Sequence, residues 1–497
     1  MKIELSKPDY TLDTAKFAKD REFLKDQEYW RAIRRRVPFF MDGYRYAAAA
    51  VKKRWGIDFA FFEVGKSVMP VYLPSNLNKK GAEIWWQKMN ENKEFTSALI
   101  EEVRGIVDIE KKLAKSIPQR TLSSQEIEKF LLEHLDWWVK FFEVAFLWFG
   151  VENIKEKIDS EIEKEWNGTS KELKKFLEEA YRPMKLPHSS IEQRDLLKLW
   201  GREDSALETA LKNHTKKYGH LALHNIDDEY FDIEYYRGRL KQLKNEKEYK
   251  KQKELLDIAD QELEHANHII ENAKLPTVLK EKINFVRWFM YIRTETIDHS
   301  MLVNGAYKAV FSSLSKIFSL PVEALLHMTY EEIISSLKKG DLTIPRDLVF
   351  DRTKNGYAFL ITTPPHTSYF VAGKDVDRLH KFVIPDEKKK DAKELKGQVA
   401  FKGQIHGVAR VILDRRNAHE LQEGEILVTT MTSPEFVPAM KISAGIITNE
   451  GGILCHAAIM SRELRRPCVI GTKIATDVIK TGQTITLNAD DGIITLE

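Results

Sequence analysis

TNEGGILCHAAIMSRELRRPCVIGT, residues 448–472, is the most informative segment of the chain. The apolar run AGIIT ends at Thr448 and reads as a strand, and Asn449-Glu450-Gly451-Gly452 reads as a tight turn. Glycine there lets a ligand approach backbone N–H groups closely. His456 precedes a run of good helix formers, AAIMSREL, and Pro467 opens the next strand, PCVIG. An imidazole at or just before a helix N-terminus lies where the helix dipole and unpaired N–H groups favour an anion. A histidine so placed suits the carriage of a phosphoryl group; taken in isolation, the same position is also met as a purely structural histidine.

The surroundings of this segment share one texture. Short apolar runs (GVARVIL, EILVTT, AGIITN, PCVIGT, QTITLN, GIITLE) alternate with glycine-marked turns, and only short helices fit between them. Asp491-Gly492 is a hairpin signal. Residues 398–497 therefore read as a compact α/β module.

Upstream the pattern changes to Lys-, Glu-, Leu- and aromatic-rich segments of helical period. Ser123 and Glu126 form a capping-box signature. Ile127, Leu131, Leu135, Trp138, Phe142, Ala145 and Phe149 then recur at spacings of three and four. Similar patterns cover 12–36, 155–182, 190–218, 246–272 and 277–318. Residues 1–342 are thus expected to form a mostly α-helical domain, followed by a small β patch over 343–384 with turns at Asn355-Gly356 and Pro364-Pro365. The charged stretch 385–397, PDEKKKDAKELKG, reads as a linker or a solvated short helix. The expected fold class is multidomain, α plus α/β.

Composition removes several function classes. With 43% hydrophobic and 31% charged residues the chain has material for packed cores and is not disordered. Lys plus Arg number 78 against 75 Asp plus Glu, and a net charge of +3 does not point to nucleic acid. Two cysteines, Cys455 and Cys468, cannot make a disulfide framework. The start MKIELSKPDY has no apolar signal segment, and 137–151 is short and carries Lys140 and Glu143, so neither secretion nor a membrane span is expected. A cytoplasmic protein is the simplest expectation.

The C-terminal module resembles the phosphohistidine, or swivelling, domain of the phosphoenolpyruvate-utilising enzymes, a group that includes phosphoenolpyruvate synthase, pyruvate phosphate dikinase, enzyme I of the sugar phosphotransferase system and rifampin phosphotransferase. The resemblance rests on Gly451, Gly452, His456, Ala457, Ala458, Ile459, Met460, Arg462, Pro467, Val469 and Gly471, with TTMTSPEFVPAM and GQVAFKGQIHGVARVI upstream. It implies a swivelling β/β/α domain in which His456 is phosphorylated during turnover. Around it, Gly451 and Gly452 would approach the phosphate. Thr448 and Glu450 either line the pocket or cap the turn. Thr432 either orients His456 or caps the PEFVPAM helix, and Arg462 either neutralises the phosphate or makes a structural ion pair.

A weaker resemblance to the helical acceptor-substrate part of rifampin-phosphotransferase-like proteins covers 216–236 and the segments FVRWFMYIRTETIDHSMLVNGAYKAVFSSL and LPVEALLHMTYEEIISSL. It makes His220, Arg287, Arg293 and Glu295 candidate substrate-side residues, although core ion pairs and caps explain them equally well. Relatives hold their donor on an ATP-grasp domain or a phosphoenolpyruvate barrel. Neither is read in this sequence, nor is GxxxxGK[ST] or a strand-linked GxGxxG. The resemblance therefore implies a phosphotransferase component served by a separate subunit, an ATP-grasp one, with Mg²⁺ and ATP or phosphoenolpyruvate at a partner's donor site, and a small-molecule acceptor. The alternative is a non-catalytic regulatory or scaffold protein. No metal site is expected on this chain: Glu262 and His265 make one Glu-x-x-His without a second. The tryptophans 30, 85, 86, 137, 138 and 148 are expected in cores, and Arg31–Arg36 on a solvated helix face.

Overall fold

Alternation along the C-terminal strands builds two apolar faces on one sheet. The computed structural model describes residues 5–497 except 13–19, 21–22, 25–28, 35–37, 66–68, 75, 119, 146–149, 187, 224–225, 227, 244–245, 385–392, 433–435 and 453–454. The chain divides into two units. Among the described residues, one comprises Asn78–Leu325 and Ile334–Asp341, the other 5–77, Leu326–Ile333 and Leu342–Glu497.

The second unit contains two sheets. The five-stranded sheet is formed by β1 (Tyr29–Arg34), β2 (Ala60–Gly65), β3 (Met69–Pro74), β4 (Tyr357–Thr362) and β5 (Tyr369–Ala372), in the order β1-β3-β2-β4-β5. Every pair is antiparallel. β4 is buried along its whole length, as an apolar strand covered on both faces must be. Ala358 and Leu360 join Ala60, Phe62, Tyr369 and Val371 under Leu379 and Val383 of the Asp375–Val383 helix. The 12–36 segment thus includes a strand rather than only helix, and the arginines 31–34 lie on it. Within 343–384, DLVFDRTKN belongs to the Arg346–Asn355 helix, not to a strand. Gly356, at φ +95°, ends that helix and admits β4. The β patch is a hairpin added to strands from the N-terminal region, a long-range pairing that local periodicity does not report.

The eight-stranded sheet takes β6 (Glu394–Lys396), β7 (Gln398–Phe401), β8 (Gln404–Val411), β9 (Ile426–Thr429), β10 (Gly445–Thr448), β11 (Cys468–Ile470), β12 (Thr484–Asn488) and β13 (Ile493–Leu496) in the order β6-β13-β12-β8-β9-β10-β11-β7. All six apolar runs of the sequence contain strands. β8 through β11 are parallel, and β6, β13, β12 and β8 pair antiparallel. Leu427, Ile446, Cys468 and Ile470 face the Val437–Ile442 and His456–Leu464 helices. Ile426, Val428, Ile447 and Val469 face the other way, onto Ile485, Leu487 and Ile494 of the antiparallel half. The period of two therefore yields a β/β/α layering. Of the expected linker, 385–392 lies outside the described residues, while Glu394–Lys396 pairs with β13 as part of the sheet.

The first unit is helical. The Thr277–Phe318 helix, 42 residues long, packs on the Phe95–Ser116 and Val151–Glu165 helices. The Ser123 and Glu126 capping box forms and opens the Ser124–Ala145 helix. The 155–182 and 190–218 patterns each break in two, at Trp166–Thr169 and near Gly201 (φ +80°). Trp85 and Trp137 are buried in the core, and Trp86 carries the Lys282 ammonium 4.1 Å above its ring. Trp148 lies outside the described residues. Among the described residues no helix is long and apolar enough to cross a membrane.

Two polar features in these cores have measurable consequences. In the second unit, Thr329 and Glu332 form a reciprocal cap on the Tyr330–Lys339 helix, and Glu332 also receives both Arg352 terminal nitrogens at 3.0 Å. Arg352 and Glu332 are 1% and 0% exposed. Removing one partner strands a buried charge, so Glu332→Ala is expected to cost about 3–5 kcal/mol, read from the denaturant midpoint of this unit. In the first unit, buried His134 shares a 2.8 Å hydrogen bond with Tyr307, and burial lowers its pKa from 6.5 to about 3. The unfolded chain takes up a proton in that window and the folded one does not. His134 therefore contributes its full stability above pH 6.5 and loses about 1.4 kcal/mol per pH unit below it. His134→Gln is expected to flatten the fall in unfolding midpoint between about pH 6 and pH 4.

Candidate functional site

The parallel strands β9, β10 and β11 end at Thr429, Thr448 and Ile470, and the loops that follow carry Thr432, Gly451–His456 and Gly471. Ligands of open α/β sheets bind at this carboxyl edge because the loops converge there. The loops are stitched together by backbone bonds: Asn449 N–H donates to Thr429, Glu450 N–H to Thr430, Thr472 N–H to Thr448 and Lys473 N–H to Asn449, at 2.8–3.1 Å. Asn449 reaches further, bonding Thr476 through both ends of its amide, at 2.6 and 2.9 Å.

His456 is the first residue of the His456–Leu464 helix, with Cys455 as N-cap and no capping side chain. The N–H groups of its first turn lack intrahelical acceptors, which gives the position its pull on anions. The His456 ring is half-buried, and its Nδ1 lies 2.7 Å from Oγ1 of Thr432, itself 5% exposed. The helix within PEFVPAM runs Val437–Ile442 with Phe436 as its N-cap and no capping side chain, so Thr432 is not its cap. The bond to His456 is the orienting alternative given for Thr432, a contact across 24 residues of sequence.

Gly451, Gly452 and Thr448 make turns in this structure. Gly451 sits at φ +113°, and a Cβ there would meet Cys455 Sγ at 2.6 Å. Gly452 accepts from the Cys455 N–H at 2.9 Å, closing the approach to the helix. Thr448 Oγ1 donates to the Glu450 carbonyl at 2.6 Å, the turn-capping alternative for Thr448. Arg462 Nε donates to the Ala400 carbonyl at 3.3 Å, tying the helix to β7. Cys468 is buried beneath that helix, and burial pushes its thiol up to about 12.

The acceptor-side candidates separate into two groups. Arg287 is 1% exposed and donates to the Arg182 carbonyl at 2.8 Å and to Asn284 at 2.9 Å; burial lowers its pKa. Arg293 acts on the carboxyl of Glu152. Neither joins His220 and Glu295, which converge on His188 and His299. Burial, reinforced by His188, lowers the His220 pKa to about 4. Burial and then Lys111 lower that of His299 to about 3. Burial pushes the Glu295 carboxyl up, but Tyr291 and Lys111 outweigh it and hold the pKa below its ordinary value. His188 and His299 were not anticipated, although Glu295 and His299 stand four apart in TETIDHS, one turn apart on a helix.

Comparison with known proteins bears on the C-terminal module. Residues 421–492 match the family described as PEP-utilising enzyme, mobile domain. A protein named "Probable phosphoenolpyruvate synthase" from Archaeoglobus fulgidus is 51% identical over 100 residues, 20% of this chain and 13% of that protein. Phosphoenolpyruvate synthase of Aquifex aeolicus is 41% identical over 158 residues, 31% of this chain and 18% of the relative. That of Pyrococcus furiosus is 51% identical over 100 residues, 20% and 12% of the two chains. The matched stretch thus spans less than a fifth of each of these relatives.

Gly451→Ala would force both a disfavoured backbone and a clash with Cys455. It is expected to destabilise the module by about 1–3 kcal/mol, measured as a lowered thermal midpoint.

Proposed function

We propose that this chain, which carries a mobile domain of the PEP-utilising enzymes at residues 421–492, passes a phosphoryl group through a phosphohistidine at His456. The observation that carries the reading is the 2.7 Å contact of Thr432 Oγ1 with His456 Nδ1 at the N-terminus of a helix. In the tautomer in which Nδ1–H donates to Thr432, the lone pair is on Nε2, and the ring direction is set by a buried partner. Nε2 then attacks the phosphorus of the donor. The N–P bond forms, the P–O bond to the leaving group breaks, and that oxygen keeps the electron pair. In the second half-reaction an acceptor oxygen attacks the same phosphorus, and the N–P electrons return to Nε2. A covalent intermediate divides one hard transfer into two easier ones, and the N-terminal end of the helix dipole stabilises the added charge.

The donor in this proposal is ATP or phosphoenolpyruvate, held on a separate subunit, an ATP-grasp one where the donor is ATP. Mg²⁺ bound with it there neutralises the phosphate charge. The acceptor is a small molecule received by the helical unit, with His220 and Glu295 on its side. The proposed setting is the cytoplasm. Supporting the reading are the mobile-domain match and the named phosphoenolpyruvate synthases that share this region.

Labelled ATP or phosphoenolpyruvate with Mg²⁺, incubated with the full chain and a candidate ATP-grasp partner, is expected to give an acid-labile, alkali-stable label absent from His456→Ala. Thr432→Val keeps the shape and removes one hydrogen bond to the ring, so its labelling rate is expected to fall about tenfold, the equivalent of about 1.4 kcal/mol. A chain that takes no label from either donor in the partner's presence is not a phosphohistidine carrier.

A further inference from the structure

His188, Glu295 and His299 each present one metal-ligating atom, and these atoms all lie within 4.8 Å of one another. Two helices supply them. Glu295 and His299 lie one turn apart on the Thr277–Phe318 helix, and His188 opens the His188–Leu197 helix. We infer that this trio is a binding site for a zinc-type divalent transition metal, built within the helical unit and separate from the phosphohistidine.

The donor set specifies the class of ion. Two imidazoles with one carboxylate suit zinc and its first-row neighbours, whereas Mg²⁺ and Ca²⁺ take oxygen ligands. Three protein ligands leave a fourth position open, the pattern of zinc sites that bind an exogenous group. The geometry is close to ready. His299 Nε2 lies 3.7 Å from Glu295 Oε1, and ligand atoms of a tetrahedral ion with bonds of about 2.0–2.1 Å stand about 3.4 Å apart. Rotamer-scale movement of His188 closes the remainder. The His299 side chain is 3% exposed, so its Nε2 meets Glu295 inside the unit rather than in solvent. Behind His188, Asp298 Oδ2 lies 3.5 Å from the ring Nδ1 and accepts the His188 backbone N–H at 3.2 Å. Carboxylates behind ligating imidazoles are the usual device for orienting them.

Lys111 is the competing charge. Its ammonium reaches Glu295 Oε1 over a long 3.3 Å and is about one-third exposed, so it swings to solvent when a dication takes the carboxylate. Glu295 and Lys111 also line a cavity of about 290 Å³ together with Arg104, Asp108, Lys185 and Tyr291.

The test uses the full chain, stripped with a chelator and titrated with Zn²⁺ by calorimetry and with Co²⁺ by visible absorption. One ion per chain is expected, with His188→Gln and Glu295→Gln each weakening binding at least about 10-fold. Lys111→Met keeps all three ligands and is expected to bind several-fold tighter, which covers the case in which a ligand variant misfolds. His456→Ala is expected to bind as the parent does. Absence of stoichiometric binding, binding unchanged in both ligand variants, or Lys111→Met binding no tighter than the parent overturns the site. The readout is metal alone, so it is independent of whether His456 takes a phosphoryl group.

Discussion

The contact between Thr432 and His456 joins the ends of two parallel strands, and the geometry of the C-terminal site follows from it. A side chain at a helix N-terminus is otherwise free to turn about two dihedrals. One buried hydroxyl on Nδ1 fixes the ring plane and directs the opposite nitrogen along a defined line. That hydroxyl is in place because the loop after β9 and the loop after β10 are bonded to each other, Asn449 to Thr429 and Glu450 to Thr430. Those loops are in turn held by strands whose alternate residues are buried on both faces. Packing energy is thus converted into orientation of a single imidazole.

The helical unit solves a different problem. Its long central helix is apolar enough to be a core, yet it also carries Lys282, Arg287, Glu295 and His299, all within the interior or at its edge. Lys282 is compensated by Glu161 and Asn90, and Arg287 by a main-chain carbonyl and Asn284. Buried charges are tolerated only with such partners. Beside Glu295 and His188, burial lowers the pKa of both His220 and His299, and clusters with shifted groups gather at functional positions more often than in ordinary cores.

Much of the fold was legible. The 246–272 and 277–318 patterns correspond to helices of those bounds, and the six apolar runs after 398 all contain strands. Long helices announce themselves because their apolar stripe repeats many times. The five-stranded sheet was not legible. β1 falls in a segment read as helical, and β4 and β5 complete their sheet only with strands some 300 residues earlier. DLVFDRTKN falls within the expected β patch and is helical, since its apolar residues Leu348, Val349 and Phe350 are too few to declare a period. At the site, His456 and the glycine turn were visible as a local string, whereas the roles of Thr432, Thr448 and Arg462 each stood between two readings.

What the sequence determined alone was therefore local: the glycine turn that only glycine can make at Gly451, the helix that begins at His456, and the alternation that buries both faces of β9 and β10. Tertiary structure decided which hydroxyl meets the imidazole, which carbonyl receives Arg462, and that His188 stands with Glu295 and His299. Each of those is a meeting of side chains from different elements. Their separation along the chain carries no period, so only the packing of the elements brings them to bonding distance.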